Sequence, residues 1–298
     1  MAYILACGHQ VAHQDQPHYC DYLRLNELLH LQPAAEQLRH PDEHLFVTVH
    51  QSSEIWFKQI LFELPRCIDA LDADNVGLAI WIVRRINRIA ALLPPMLQLL
   101  DTMAPSDFFT FRSSLSPASG AESQQFREIE LVVGVRDAAY QEHLAAACGN
   151  EAATGLWTER LNTLWNSRSV RAALHDLFER HDLTPDRIYV VAPQANPNAE
   201  IFLLVEELLD FDEAMMLWRS MHARIAERAI GPMLAGTGRS AGVSYLEAGS
   251  ATRRFFPELW QLRTRLWEQR SIFAQQQPEA PRQTCPVSVP IPVAGHQS

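Results

Sequence analysis

The stretch "HLFVTVHQSSEIWFKQILFEL", residues 44–64, has the apolar spacing of a helix that buries one face. One side of that helix carries a row of mostly apolar residues: Phe46, His50, Phe57, Leu61 and Leu64. An imidazole in such a row needs partners for its two ring nitrogens. His50 is therefore either a core residue whose N–H bonds a backbone carbonyl, or a residue that faces a bound group.

A second stretch, "VEELLDFDEAMMLWRSMHARIAERAIG" at 205–231, repeats the pattern. Its apolar side also contains one histidine: Phe211, Met215, Trp218, His222, Ile225 and Ala229. Taken alone, each histidine is more simply explained as a core residue with its hydrogen bond satisfied. Two such helices also suit a planar apolar group between them, and haem ligated by a single histidine is the candidate. On spacing alone both interpretations stay open.

Helical periodicity dominates the remaining chain and predicts an all-α helical bundle. Further helices are expected in several segments: near 22–31, 76–102, 122–149, 152–181 and 254–274. The only strand-like run is "RIYVVAP" at 187–193. We expect a flexible N-terminus (1–16), a single domain (17–267) and a disordered tail rich in Pro and Gln (268–298).

Composition narrows the classes of protein that fit. The formal net charge of −10 over 298 residues and the absence of a basic block argue against nucleic-acid binding. The five cysteines are scattered without a CxxC, which is typical of a reducing compartment. We see no signal peptide and no apolar run long enough to cross a membrane, so a cytoplasmic protein is expected.

Other cofactor motifs fit poorly. A di-iron bundle would need two Glu-x-x-His pairs and a zinc hydrolase an HExxH, and neither occurs. "GTGRSAG" at 236–242 fits G-x-G-x-x-A, but a helix precedes it where a dinucleotide site needs a strand. A loop beside a small ligand is the better interpretation, with hydroxyls from Thr237 and Ser240.

Arg112 lies in the dense stretch "FFTFRSSLSPASGAESQQFREIE", residues 108–130, between aromatic residues and a Ser/Pro/Gly turn. A guanidinium in these surroundings suits a bidentate clamp on a carboxylate. A structural ion pair with one of the many Asp or Glu side chains is the simpler explanation, and the pattern alone favours it.

These stretches, together with "YCDYLRLNELL" (19–29) and "FFPELWQLRTRL" (255–266), resemble tryptophan 2,3-dioxygenases and occur in that family's order. The resemblance runs from Tyr19 to Leu266, and only the middle, 137–200, is poorly matched. It implies an all-helical homotetramer with one b-type haem per subunit. It further implies insertion of O2 into the indole C2–C3 bond of L-tryptophan, giving N-formylkynurenine.

The resemblance assigns roles to single residues. His222 matches the proximal haem ligand, and His50 matches the distal histidine that faces the indole N–H. Arg112 matches the arginine that binds the substrate carboxylate. Thr237 matches the threonine that contacts the substrate's ammonium and carboxylate groups.

Further residues are expected around the same pocket. Phe46 and Phe108 match its aromatic lining, whereas Ser119 and Gly238 are expected beside the haem. The segment 17–31 matches one lent to a neighbouring subunit's active site, through Tyr19, Tyr22 and Leu23.

The glycine loop departs from the family's usual GTGGSSG, because Arg239 and Ala241 replace a glycine and a serine. The link between His222 and Thr237 is also one residue longer and contains Pro232. The alternatives are therefore a haem monooxygenase that converts tryptophan or a substituted tryptophan to a 2-oxindole-type product, and a non-catalytic haem- or indole-binding protein. The combination of Arg112, His50 and Thr237 argues against mere binding.

Overall fold

The computed structural model of the chain describes residues 19–115, 123–136, 156–188, 198–232 and 253–268. Within these ranges the chain forms helices and short 3₁₀ turns without a strand, which confirms the all-α prediction. The predicted strand-like run begins in a short helix at its first two residues, and its remainder, 189–193, lies outside the described residues. The predicted termini, 1–16 and 268–298, also lie outside them except for Glu268.

The helices follow in chain order: α1 (Tyr19–Tyr22), α2 (Leu25–Leu29), α3 (Pro41–Asp72), α4 (Val76–Ala90), α5 (Leu93–Gln98), α6 (Pro105–Arg112), α7 (Gln124–Val133), α8 (Leu156–Asn166), α9 (Val170–Arg180), α10 (Pro185–Ile188), α11 (Ala199–Ile230) and α12 (Pro257–Glu268). None of these helices has the length and apolarity needed to span a membrane.

The two longest helices, α3 and α11, carry the two histidines and organise the fold. Each has 32 residues, which corresponds to roughly 48 Å. Helices α4, α5 and α6 each pack against both of them. The bridging helices therefore set the distance between α3 and α11. Buried apolar residues of α3 to α5 and of α7 to α12 form one continuous core around this arrangement.

Helix α7 is buried along most of its length although it carries charged side chains. Its Glu128 accepts two hydrogen bonds from the Arg160 guanidinium of α8, at 2.6 and 2.8 Å. Its Glu130 pairs with Arg127 at 2.7 Å and lies 3.7 Å from Arg219 of α11. A buried charge is tolerated when it is paired and hydrogen-bonded, so these pairs fix α7 against both neighbours.

Helix α11 is anchored to the start of α12 by one buried carboxylate. Asp212 accepts hydrogen bonds from the backbone N–H groups of Phe255 and Phe256, at 2.8 and 3.0 Å. The Trp260 indole N–H donates to the same carboxylate at 2.8 Å. Three donors satisfy a charge that would otherwise be costly to bury. The contact holds the middle of α11 in place, about three turns before His222.

Gly134 ends α7 and provides a test of the packing around it. Its φ of 122° suits glycine, and an added Cβ would lie 3.0 Å from Ser169 Oγ and 3.1 Å from Arg171 Cβ. Gly134→Ala is expected to lower the free energy of unfolding by about 1–3 kcal/mol in urea titrations. Gly77→Ala is the matched control, because a Cβ there meets nothing within 4 Å. Equal stability of the two variants would contradict the assigned backbone conformation.

Candidate functional site

The hydrogen bonding of His50 fixes which of its ring nitrogens carries the proton. His50 Nδ1 lies 2.7 Å from the backbone carbonyl oxygen of Phe46, one turn earlier on α3. A carbonyl oxygen only accepts, so Nδ1 is the donor and Nε2 keeps a free lone pair. The bond to a backbone carbonyl is one of the two interpretations considered from the sequence, and it leaves the other ring nitrogen available as an acceptor.

The surroundings of His50 keep this acceptor neutral. Burial lowers the pKa of His50 below its usual value, while the Phe46 carbonyl and the charge of Glu54 partly oppose that shift. The Phe46 ring also packs on the imidazole, with ring centroids 4.1 Å apart. At neutral pH, Nε2 can accordingly accept a hydrogen bond from a ligand N–H.

His222 lies on the apolar side of α11, as the sequence predicted. Trp218, one turn earlier, stacks on it with ring centroids 5.7 Å apart and planes inclined by 15°. Burial lowers the pKa of His222 to about 4, and the charge of His50 adds to that effect. No described residue forms a hydrogen bond with its imidazole. A neutral imidazole with an available lone pair is the form in which histidine ligates iron.

The two histidines lie on α3 and α11, near enough to each other for the charge of His50 to lower the pKa of His222. Both side chains retain accessible area although protein surrounds them closely enough to suppress their protonation. This combination is expected of groups that line a cavity. A haem ligated by His222 fits that donor set, because iron needs one neutral imidazole and the macrocycle needs largely apolar walls.

Helix α6 contributes an aromatic cluster and Arg112 to the same region. The Phe46 ring lies 5.7 Å from Phe108 and 5.8 Å from Phe111, and these last two meet edge to face at 5.3 Å. Arg112 is the last residue of α6, about one turn beyond Phe108, and it is half-buried. The aromatic contacts therefore place the C-terminal end of α6 beside the first turns of α3.

Several predicted site residues are not brought together within the described part of this chain. Ser119, Thr237, Gly238, Arg239 and Ala241 lie outside the described residues. The three residues expected to reach a neighbouring subunit are in α1 and just after it, with exposed fractions of 74, 75 and 41%: Tyr19, Tyr22 and Leu23.

The structure also reveals a contact residue to which sequence reasoning gave no role. In the sequence, Trp218 was only one member of the apolar row. In the structure it lies between the imidazole of His222 and the rings of Phe57 and Phe126. Its ring centroid is 5.2 Å from that of Phe57 and 4.9 Å from that of Phe126. Its position one helical turn before His222 was the available signal, because side chains four residues apart meet on a helix.

A group of potential metal ligands near α6 is better explained by helix capping. His40, Asp42 and Asp107 have ligand atoms close together. However, His40 Nδ1 accepts from the backbone N–H of Asp42 at 3.2 Å, which leaves the proton on Nε2 and no lone pair for a metal. Asp42 and Asp107 lie in the first turns of α3 and α6, where negative charge is favourable without a cation.

Comparison with known proteins identifies the family. A sequence model described as tryptophan 2,3-dioxygenase matches residues 6–186 and 181–266. These ranges include the middle segment, 137–200, which the resemblance of motifs matched poorly. The chain is 36% identical to the tryptophan 2,3-dioxygenase of Herpetosiphon aurantiacus over 259 residues, covering 83% of this chain and 98% of that protein.

Two further relatives carry the same description. The protein from Caulobacter vibrioides is 34% identical over 274 residues, which cover 83% of this chain and 98% of the relative. The protein from a Nocardioides species is 35% identical over 255 residues, which cover 83% and 94%. With matches of this extent, the chain belongs to the tryptophan 2,3-dioxygenase family.

Proposed function

We propose that this chain is an oxidoreductase that inserts both atoms of O2 across the indole C2–C3 bond of L-tryptophan, giving N-formylkynurenine. One observation carries the proposal: His50, with Nε2 free to accept, and the buried, neutral imidazole of His222 lie near enough to each other to interact electrostatically. Family membership supplies the chemistry to which this pair of residues is suited.

The cofactor we propose is a b-type haem. The family is haem-dependent, and in this chain His222 would be the iron ligand, with Ser119 and Gly238 beside the macrocycle. When bound, haem iron supplies the activation of O2. Trp218 restricts the rotation of the His222 ring by stacking on it, which favours a single ligand orientation.

The remaining residues bind and orient the substrate. The indole ring has one polar group, its N–H, which donates to His50 Nε2 while Phe46 and Phe108 exclude water around the ring. Arg112 and Thr237 would bind the carboxylate and ammonium of the amino acid. Fixing both ends of tryptophan orients the indole C2–C3 bond, and orientation of this kind contributes several kcal/mol, or roughly 10²-fold and more in rate.

The active site is proposed to be completed by a neighbouring subunit of a homotetramer. Tyr19, Tyr22 and Leu23 expose apolar side chains within five consecutive residues of the single chain, and contiguous exposed apolar surface is typical of interaction sites. A second chain that receives them would bury this surface and close the substrate pocket. The scattered cysteines are in keeping with a cytoplasmic location.

Turnover under ¹⁸O2 tests the proposal. Dioxygenation predicts that purified, haem-loaded protein converts L-tryptophan to N-formylkynurenine carrying two labelled oxygen atoms, as read by mass spectrometry. The relatives named above are described as dioxygenases, and so the dioxygenase is favoured over a monooxygenase. A 2-oxindole-type product with one label would contradict the proposal, as would haem-loaded protein that binds tryptophan without turnover.

A further inference from the structure

Glu54 lies one helical turn after His50 on α3 and makes three hydrogen-bonded contacts with the first turn of α7. Its carboxylate accepts from the Ser123 hydroxyl at 2.6 Å and from the Gln125 side-chain N–H group at 2.8 Å. The same Gln125 nitrogen donates to the Glu54 backbone carbonyl at 2.9 Å. Hydrogen bonds to an ionised carboxylate are stronger than neutral ones, so this is a firm attachment between two helices.

The Ser123 hydroxyl serves two helices at once. It donates to Glu54 and accepts from the backbone N–H of Phe126 at 3.3 Å, which makes Ser123 the N-cap of α7. Ser123 is also the first described residue after the segment that follows Arg112 and the 3₁₀ turn Ser113–Leu115. Ser123 therefore joins the start of α7 to α3 through a single hydroxyl.

The first turn of α7 also leads to the other histidine. Phe126 packs on Phe57 of α3 at 5.8 Å and on Trp218 of α11 at 4.9 Å, and Trp218 in turn stacks on His222. A displacement of this turn would shift Phe57 on α3 and Trp218 on α11, because packed interiors transmit small shifts.

We propose that Glu54 is a positioning residue. It holds the first turn of α7 against α3, one helical turn from His50, and through Phe126 and Trp218 this turn supports His222, so that Glu54 maintains the shape of the substrate pocket. This inference rests on the proposed function, since the pocket is taken to bind tryptophan. Glu54 itself touches neither substrate nor cofactor in this scheme; it acts through Ser123 and Gln125.

Glu54→Ala tests the inference through the balance of KM and kcat. The substitution removes the carboxylate that accepts from Ser123 and Gln125, so the first turn of α7 loses two of its three hydrogen bonds to residue 54. We expect KM for L-tryptophan to rise about tenfold, with kcat less affected and the haem content of the purified holoenzyme unchanged. Glu54→Gln keeps one acceptor oxygen and should give an intermediate KM.

A matched control and a double-mutant cycle separate positioning from simple stability. Ser53→Ala removes the hydrogen bond that the Ser53 hydroxyl donates to the Val49 backbone carbonyl within α3. This variant should leave KM and kcat unchanged. If Glu54 acts through α7, its effect and that of Gln125→Leu on kcat/KM should be non-additive. Gln125→Leu also supplies the test if Glu54→Ala does not fold.

The outcomes distinguish this inference from the proposed function. A folded Glu54→Ala holoenzyme with a lower Tm but unaltered KM and kcat would overturn the inference and leave the function intact, as would additive effects in the cycle. If the wild-type protein binds L-tryptophan in calorimetry but does not convert it, the proposed function is overturned. The inference is then tested by the Kd for L-tryptophan of the same variants, which should rise for Glu54→Ala and stay unchanged for Ser53→Ala. Wild-type protein that neither binds nor converts L-tryptophan would overturn both.

Discussion

His222→Ala is expected to yield folded protein that retains almost no haem after purification. The substitution removes the imidazole that we propose ligates iron, and no hydrogen bond to a described residue is lost with it. The fold should survive, because α11 remains anchored through Asp212 and through its contacts with α4 and α5. The Soret absorbance per chain measures haem retention, and far-UV circular dichroism measures helix content.

His44→Ala is the control for this experiment, because His44 is an exposed histidine on α3 whose Nδ1 lies 3.5 Å from the Thr48 hydroxyl in the same helix. It should keep a wild-type haem content. Added imidazole should restore part of the Soret band to His222→Ala, since a free ligand can occupy the space that the side chain vacates. Retention of haem by His222→Ala with an unaltered spectrum would refute the assignment of His222 as the iron ligand.

The parts of this site that could be predicted from the sequence are those fixed by local helical geometry. The spacing of apolar residues identified α3 and α11 and the buried sides on which Phe57, Leu64, Phe211 and Met215 lie. The bond from His50 Nδ1 to the carbonyl four residues earlier is also local, and it agrees with one of the two interpretations offered for that residue. What remained open was the use of the second nitrogen.

Features set by contacts between distant segments could not be predicted in the same way. The helix expected over 122–149 ends at Val133, because Gly134 adopts a positive φ where the chain turns against Ser169 and Arg171. The segment expected as one helix from 76 to 102 is divided after Ala90, and α5 begins with prolines in its first turn. The periodicity continued through both breaks, so it could not locate them.

The contact between Glu54 and Gln125 also could not be predicted, because it joins distant segments of the chain. Glu54 and Gln125 are separated by most of α3 and the whole of α4 to α6, and their pairing depends on how α7 packs against α3. Neither residue belongs to a pattern that periodicity detects. For Arg112, sequence reasoning alone favoured an ion pair, and only the family resemblance favoured substrate binding, so this assignment needs a direct test.

Arg112→Ala is expected to raise KM for L-tryptophan about 100-fold. We propose that Arg112 binds the substrate carboxylate, and removal of one partner of a buried, hydrogen-bonded charge pair costs about 3 kcal/mol, which corresponds to a change of this size. The aromatic cluster of α6 with Phe46 does not depend on this side chain, so the helix should keep its place. Steady-state kinetics of haem-loaded protein give KM and kcat separately.

Arg112→Lys distinguishes a clamp from a simple positive charge. Lysine keeps the charge but lacks the planar pair of donors that matches a carboxylate, so KM should recover only in part. Tryptamine, which lacks the carboxylate, gives a second comparison: it should be a poor substrate of the wild-type enzyme and should lose little further on Arg112→Ala. If tryptamine and L-tryptophan lost equal amounts of kcat/KM on this substitution, Arg112 would be acting on the fold of the pocket, and the carboxylate clamp would be excluded.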